Sequence, residues 1–508
     1  MRVLNVVSAA LIIAFCIGAS APTPVRVSNA EITAENGRFT ALGVTLPNGG
    51  IILQTPYEPP YNSRSFIVPL NWLDNDPRVI RASDMRADLP TLRFLMEKTY
   101  PGWNLAADRG WDWNAWFAAW DLSLSLEGNR SLTAAQAVQP WSVFRKFQLD
   151  NHSHPMVLGI EGQTLSARLA QLPHGACTVL TTTAGGSFPL NKTDLGQQPH
   201  VVSAWDGSTF ETAAYVAYPD HIGTVKSITC DGVSIETTMT AQPRVDEAGA
   251  SYYRDLGDGI GYVRAPGSFS YKRDDQLRKA LNGSGGVDTQ KAIILDVRGN
   301  GGGAAPVDIL SHWFTRTEIA STVPRLGIYY RLNSCYAAAL GFNLAQWYLV
   351  PGLKPPLSAG TKSIVQRLMD MIGNSNSCAV TESVSRSDKT MRDHHFSKEN
   401  PNGSRPRIIV VVDNECGSDC EGLVTKVAQL PGTVIAGTNT AGTIGFLQPG
   451  MFVLPHCRLP FMLAQAYSDI YGDGRSQAGY GLSVDVLLAT EKSQSLGSLK
   501  ALAEALIH

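Results

Sequence analysis

The 508-residue chain is poor in charge. Asp, Glu, Lys and Arg make up 17% of it, against roughly 25% in an average soluble protein. Its 42 Lys and Arg nearly cancel 44 Asp and Glu, for a formal net charge of −2. The basic excess of a nucleic-acid binder is missing, and so is a long-range attraction to anionic membranes. Beyond the first two dozen residues, no apolar run approaches the roughly 20 residues that span a bilayer. No two cysteines have C-x-x-C spacing, which removes the zinc-ribbon and thioredoxin readings. No Gly-Lys-Ser/Thr loop or Gly-x-Gly-x-x-Gly turn opens a helix after the first strand, so phosphate cradles are absent. There is no internal repeat. The 44% hydrophobic content leaves too much apolar surface for a disordered chain.

What is present begins with a leader. Met1-Arg2 supplies a positive start, Ala9 to Gly18 an apolar run of about the length of a signal core, and Ala19-Ser20-Ala21 a small-residue cleavage pattern. Residues 1–21 therefore read as a secretory signal peptide, and the mature chain is expected to be periplasmic or secreted. Export permits disulfides. Cys16 leaves with the leader, and seven cysteines remain, so at least one thiol has no partner within the chain. Sequence proximity alone suggests Cys177 with Cys230 and Cys335 with Cys378.

The rest divides by pattern. Residues 22–80 alternate apolar residues with turn signals, as a small β-segment. Residues 81–155 carry Leu89, Leu92, Leu95, Met96 and Tyr100 near helical spacing, then Trp111, Trp113, Trp116 and Trp120. They read as helices around an aromatic core; a carbohydrate platform is the less favoured reading of the tryptophans. Residues 156–250 return to short Val/Ile/Thr runs broken by Gly, Pro and Asn, as a β-rich module. Residues 251–508 alternate near-continuous apolar strands with helical stretches, the pattern of an α/β core whose strands are covered on both faces. A polar stretch near 354–405 interrupts that core.

Three segments carry chemistry. Asp150-Asn151-His152-Ser153-His154 follows the helices. Ile293 to Asp296 is a buried strand that runs into Arg298-Gly299-Asn300-Gly301-Gly302-Gly303. Ile408 to Val412 is another strand, and it runs through Asp413 to Gly417 into Ser418-Asp419-Cys420-Glu421 at the start of a helix. A serine at a strand-to-helix turn can present its hydroxyl at the sheet edge, with a helix N-terminus behind it. The backbone N–H of Asp419 is then free to meet an oxyanion, and a glycine N–H from Gly301 or Gly302 can complete the hole. A helix cap with Glu421 in the first turn accounts for the same residues. A serine nucleophile needs a base. His152 is the first candidate, His154 the second, and His394-His395 compete from the polar stretch. Asp393-His394-His395 is too weak a cluster to call a metal site, and no metal or cofactor is expected.

Taken together, IILDVRGNGGG, VVVDNECGSDCEGL, Val434 to Gly442 and Gly479 to Val486 resemble the C-terminal-processing (tail-specific) protease family. That family includes the tricorn core protease and the interphotoreceptor retinoid-binding protein repeats. The resemblance covers residues 250–490 well and 85–155 weakly. It implies an α/β core with crotonase-like sheet-and-helix layering, plus an N-terminal helical part and a middle module in the place of a PDZ domain. It implies Ser418 as nucleophile, with Gly301, Gly302 and Asp419 at the oxyanion hole. The lysine base of the tail-specific branch would fall at Thr443, so a Ser–Lys mechanism is not expected. The tricorn-like branch takes a histidine from an early Asp-x-His-Ser/Thr segment, which Asp150 to Ser153 matches at His152. The glutamate that orients that histidine would fall at Ala478. Gln477 is the candidate substitute, with Asp473 and Asp469 behind it.

The expected function is therefore an exported serine endopeptidase acting on protein or peptide substrates, without nucleic acid and without a membrane span in the mature chain. Homo-oligomer formation is left open. The alternative is a catalytically impaired binding protein on the same fold.

Overall fold

The computed structural model describes residues 79–144 except 109, 152–156, 167–172, 177–182, 187–189, 200–219, 225–236, 251–269, 279, 281, 290–303, 327–332, 366, 370, 381–385, 406–428, 432–443, 445–469 and 481–507. The leader and nearly all of the expected N-terminal β-segment lie outside these residues. So does most of the polar stretch near 354–405, although its Thr381–Ser385 is a strand.

The apolar runs of the second half form the middle of a nine-stranded sheet. Its order is Tyr252–Asp255, Ile260–Arg264, Ala292–Asp296, Arg407–Val412, Val434–Gly437, Val486–Leu487, His200–Trp205, Phe210–Pro219 and Ala167–Leu172. The six strands from Ile260–Arg264 to His200–Trp205 are mutually parallel. Residues alternate between faces along a strand, and the two faces meet different partners. Ile293, Leu295, Ile408, Val410 and Val412 pack with Leu423, Val424 and Val427 of the helix Asp419–Val427. Ala292, Ile294, Ile409 and Val411 pack with Leu499, Leu502 and Ala503 of the C-terminal helix Leu496–Ile507. Helices on both faces explain why these runs are apolar throughout rather than alternating. Burying each Ile or Leu contributes about 1.5–3 kcal/mol.

The boundary drawn at residue 250 passes through this sheet. Three strands from the interval 156–250 extend its edge, beyond Val486–Leu487. The other described strands of that interval form a separate four-stranded antiparallel sheet, ordered Val233–Glu236, Val225–Cys230, Cys177–Thr182 and Ser187–Pro189. A Cys177–Cys230 disulfide crosses it. Cys335 and Cys378 lie outside the described residues.

A second core joins the helices that follow residue 81 to a late antiparallel pair of strands. The helices Ala82–Thr99, Gly102–Asp108, Trp113–Glu127, Ala134–Ala137 and Trp141–Phe144 pack against the antiparallel pair Phe446–Val453 and Pro460–Asp469. The tryptophans are part of this packing. Trp116 and Trp120 are buried, and their indole N–H groups donate to the Pro140 and Ala137 carbonyls. A sugar platform would require exposed faces, so core packing is the reading that holds. Asp88, fully buried, ties the two parts by accepting from the backbone N–H groups of His456 and Cys457 and meeting His456 Nδ1 at 2.7 Å. The segment after the helices then pairs His154–Pro155 with Phe461 and Met462, and Ser153 Oγ accepts from Ala464 N at 2.8 Å. This docking delivers His152 to the edge of the nine-stranded sheet.

Candidate active site

The strand Arg407–Val412 ends at Asp413, and the strand Ala292–Asp296 ends at Val297. The two turns that follow are sewn together. The buried Asp413 carboxylate accepts from Gly299 N through both oxygens at 3.0 Å and from Glu415 N at 3.1 Å. Gly417 N donates to Asn300 O at 3.1 Å. Burial pushes the Asp413 carboxyl above its ordinary range, with the Gly299 and Glu415 N–H groups pulling the other way. Beneath the glycine turn, Asp296 is fully buried. Burial opposes its charge, but the Arg298 guanidinium, at 2.9 and 2.6 Å, holds the carboxyl below its usual range. Tyr262 Oη donates to the same carboxylate at 2.6 Å.

Ser418 sits at the N-cap of the helix Asp419–Val427 with φ 53° and ψ −121°. A non-glycine residue with positive φ is strained by roughly 1–3 kcal/mol and persists only where its surroundings enforce it. Here the surroundings are specific. The fully buried Glu421 carboxylate accepts from Ser418 N at 3.2 Å, Thr440 Oγ1 at 2.5 Å, Gly442 N at 2.8 Å, and Thr443 N and Oγ1 at 2.8 and 2.9 Å. Thr443 Oγ1 also accepts from Ser418 N. A disulfide joins Cys416 to Cys420, on either side of the serine.

His152 Nε2 lies 3.3 Å from Ser418 Oγ, across 266 residues of sequence. Burial pushes the His152 ring down to about 4, a backbone hydrogen bond with Phe446 pulls it up, and the neighbouring His154 adds to the lowering. The imidazole is therefore neutral at neutral pH. His154 is directed elsewhere, with Nδ1 3.1 Å from Pro155 O. His394 and His395 lie outside the described residues, as do Asp473, Gln477 and Ala478. Asp469 is the last residue of the strand Pro460–Asp469.

The two glycines expected at the oxyanion hole separate in role. Gly302 N donates to Asn300 Oδ1 at 2.9 Å, so its N–H is not available to a ligand. Its service is to lack a side chain. With φ +95°, a Cβ there would stand 2.6 Å from Gly417 O, 2.8 Å from Asp419 N and 2.8 Å from Ser418 Cβ. Gly301 is exposed, and a Cβ on it would approach nothing closer than Ser268 Oγ at 4.0 Å. Asp419 N is at the first position of the helix, facing the Gly302 backbone. Residues 301–303 and the first turn of the helix thus meet at close range beside Ser418.

At Thr443, where the resemblance would place a lysine base, a buried threonine fixes the serine backbone instead. Among the described residues no group of three or more His, Cys, Asp or Glu side chains is placed to hold a metal ion. Nor is any helix long and apolar enough to cross a membrane.

Residues 259–456 match the model of Peptidase family S41. That stretch is thus similar to a family S41 peptidase domain. Both turns, the serine and the Glu421 clamp fall inside the S41 match, whereas His152 falls before it. Among solved structures the chain is similar to mature CPAF at 12% identity, covering 84% of this chain and 98% of that one, with a TM-score of 0.42. The photosystem II D1 C-terminal processing protease is matched at 14% identity, over 84% and 97% of the two chains, with a TM-score of 0.33. The tricorn protease is matched at 12% identity, over 84% of this chain and 37% of that one, with a TM-score of 0.36. At such scores the S41 assignment rests on the family match. No curated protein sequence matches the chain.

Three features of the site were not legible in the sequence as site features. Glu421 was legible only as a cap residue, Asp413 and Asn300 not at all. The signal for Glu421 was its place three residues after the serine, the capping-box spacing. What its second oxygen would bind required the Thr440 to Thr443 loop to be in place.

Proposed function

We propose that the chain is an exported serine endopeptidase in which Ser418 is the nucleophile and His152 the general base. The observation that carries this reading is the 3.3 Å approach of His152 Nε2 to Ser418 Oγ, a distance near hydrogen-bond reach and within the looseness of unliganded sites. Ser418 Oγ attacks the peptide carbonyl carbon and passes its proton to His152 Nε2. The N–H groups of Asp419 and Gly301 receive the negative charge that develops on the carbonyl oxygen, helped by the N-terminus of the helix Asp419–Val427. His152 then protonates the leaving amine, and water, deprotonated by the same ring, releases the acyl group from Ser418. The hydrogen bond between the ring and the Phe446 backbone holds the base, a task that a carboxylate performs in serine triads.

The test is a fluorogenic peptide assay together with a fluorophosphonate probe. Ser418→Ala and His152→Ala should each lower kcat by at least about 10³-fold, and Ser418→Ala should abolish labelling. Undiminished hydrolysis in either variant overturns the assignment. The rival reading is a binding protein on an impaired site, favoured by Ala478 in the place of an orienting glutamate. It stands if the unaltered protein takes no label. Export is tested by N-terminal sequencing of the processed protein, with cleavage expected between residues 19 and 22.

A further inference from the structure

The strained backbone of Ser418 has to be enforced by something, and the polar clamp acts only on its N–H. Glu421 and Thr443 both hold Ser418 N, and Gly422 N donates to Ser418 O at 3.0 Å, which leaves the backbone angles between these bonds to other restraints. Cys416 lies two residues before the serine and Cys420 two after it, and their sulfurs are bonded. Both residues are fully buried. They pack in the core cluster with Val297, Val412 and Leu423, and Cys420 Sγ lies 3.8 Å from Val297 O, at the root of the glycine turn. Cys416 O accepts from Ala441 N at 2.9 Å, and Cys420 N donates to Gly417 O at 3.0 Å. The bond therefore closes a small ring around Ser418, and anchors that ring to both neighbouring turns.

A disulfide stabilises a fold mainly by restricting the unfolded chain, and the effect grows with the length of the closed loop. With a sequence separation of 4, this one restricts little of the unfolded chain. The Cys177–Cys230 bond, with a separation of 53, is the better staple. What the short ring can do is limit the backbone angles of the three residues inside it, Gly417, Ser418 and Asp419. Two of those three, Ser418 and Asp419, are the nucleophile and an oxyanion donor in the proposed mechanism.

We propose that the Cys416–Cys420 disulfide is a positioning element for catalysis, holding Ser418 and the Asp419 N–H in reactive geometry while contributing little to global stability. This rests on the reading of Ser418 as the nucleophile. A small displacement of a reacting group can cost about 10²-fold in rate without loss of substrate binding.

The test compares two double variants of the full-length protein. Cys416→Ala with Cys420→Ala should lower kcat for peptide hydrolysis by about 10- to 100-fold. Its KM should remain within about twofold, and its fluorophosphonate labelling should slow in parallel. Its Tm should move little. Cys177→Ala with Cys230→Ala should do the reverse, lowering Tm while each folded molecule keeps its labelling rate. If the first variant does not fold, the unaltered protein is treated with a water-soluble phosphine. The phosphine takes up oxygen from water as the S–S bond becomes two thiols, and mass spectrometry counts the bonds opened. Hydrogen exchange at residues 415–420 is followed in every sample, because it reports the turn whether or not the protein is active. Faster exchange there with unchanged Tm supports the proposal. Unchanged exchange and labelling after loss of the bond overturns it. If the unaltered protein is never labelled, the peptidase reading fails, and the exchange data alone decide whether the bond holds the turn.

Discussion

His152 combines a half-buried position with a proposed catalytic task. Desolvation of its ring lowers the affinity for a proton. A general base must be neutral to act, so activity is lost when pH falls below its pKa. The pH profile of kcat/KM should therefore rise with a midpoint near 4, and stay level through the range where an ordinary histidine titrates, around 6.5. A midpoint near 6.5 would show that the ring is solvated in the working enzyme. Gly302 makes the complementary case at the same scale, because what matters there is an atom it lacks. Gly302→Ala puts a methyl against Ser418 Cβ, Asp419 N and Gly417 O at a positive φ. It should cut kcat/KM by about 10²-fold in a steady-state assay. Retained activity would mean that the two turns can part without penalty.

At the scale of elements, the site is two strand ends and a helix start held by buried carboxylates. Glu421 bonds a loop twenty residues downstream and so converts a cap into a joint. Glu421→Ala leaves buried N–H groups without acceptors, at about 1–3 kcal/mol each. The variant should lose both thermal stability and fluorophosphonate labelling, whereas Glu421→Gln, which keeps the size and one of the two acceptor oxygens, should recover part of each. Asp296→Asn breaks the buried pair with Arg298. A loss of about 3–5 kcal/mol is expected, read as a lower denaturation midpoint. The strands themselves were legible in the sequence, because AIIL and IIVVV are apolar at every position and lead into Gly-rich or Ser-bearing turns. The serine and the histidine were singled out from their segments, and the structure brings the two side chains to 3.3 Å. The Gly302 N–H was misread, because a glycine tract declares freedom of backbone but not which N–H is already taken by Asn300. The Glu421 network was hidden for a related reason. Local spacing gives the first acceptor contact, and long-range packing gives the rest.

At the scale of the whole molecule, the proposed catalytic pair is shared between two cores. Ser418 belongs to the nine-stranded sheet, and His152 reaches it from a segment docked on the antiparallel strands that the N-terminal helices cover. The sequence showed the separate parts but not this seam, nor that strands before residue 250 extend the core sheet, because pairing between distant strands leaves no local pattern. Asp88 and His456 sit on the helical side of the seam. The Asp88 carboxylate raises the His456 pKa above 6.5. A histidine raised on folding contributes stability that is fully present below its unfolded pKa and is lost as pH climbs through its folded value. The Tm difference between the unaltered protein and His456→Gln should thus be largest at pH 5.5 and shrink toward pH 8.5. A difference independent of pH would show that the contact works as a neutral hydrogen bond only.

The 266 residues between His152 and Ser418 also set an order of arrival. During synthesis the proposed base emerges first and the proposed nucleophile 266 residues later. A ribosome-bound or truncated product holds an imidazole with nothing to activate. On the proposed reading, such a peptidase stays harmless to its own unfinished copies until the Ser418 segment has joined the rest.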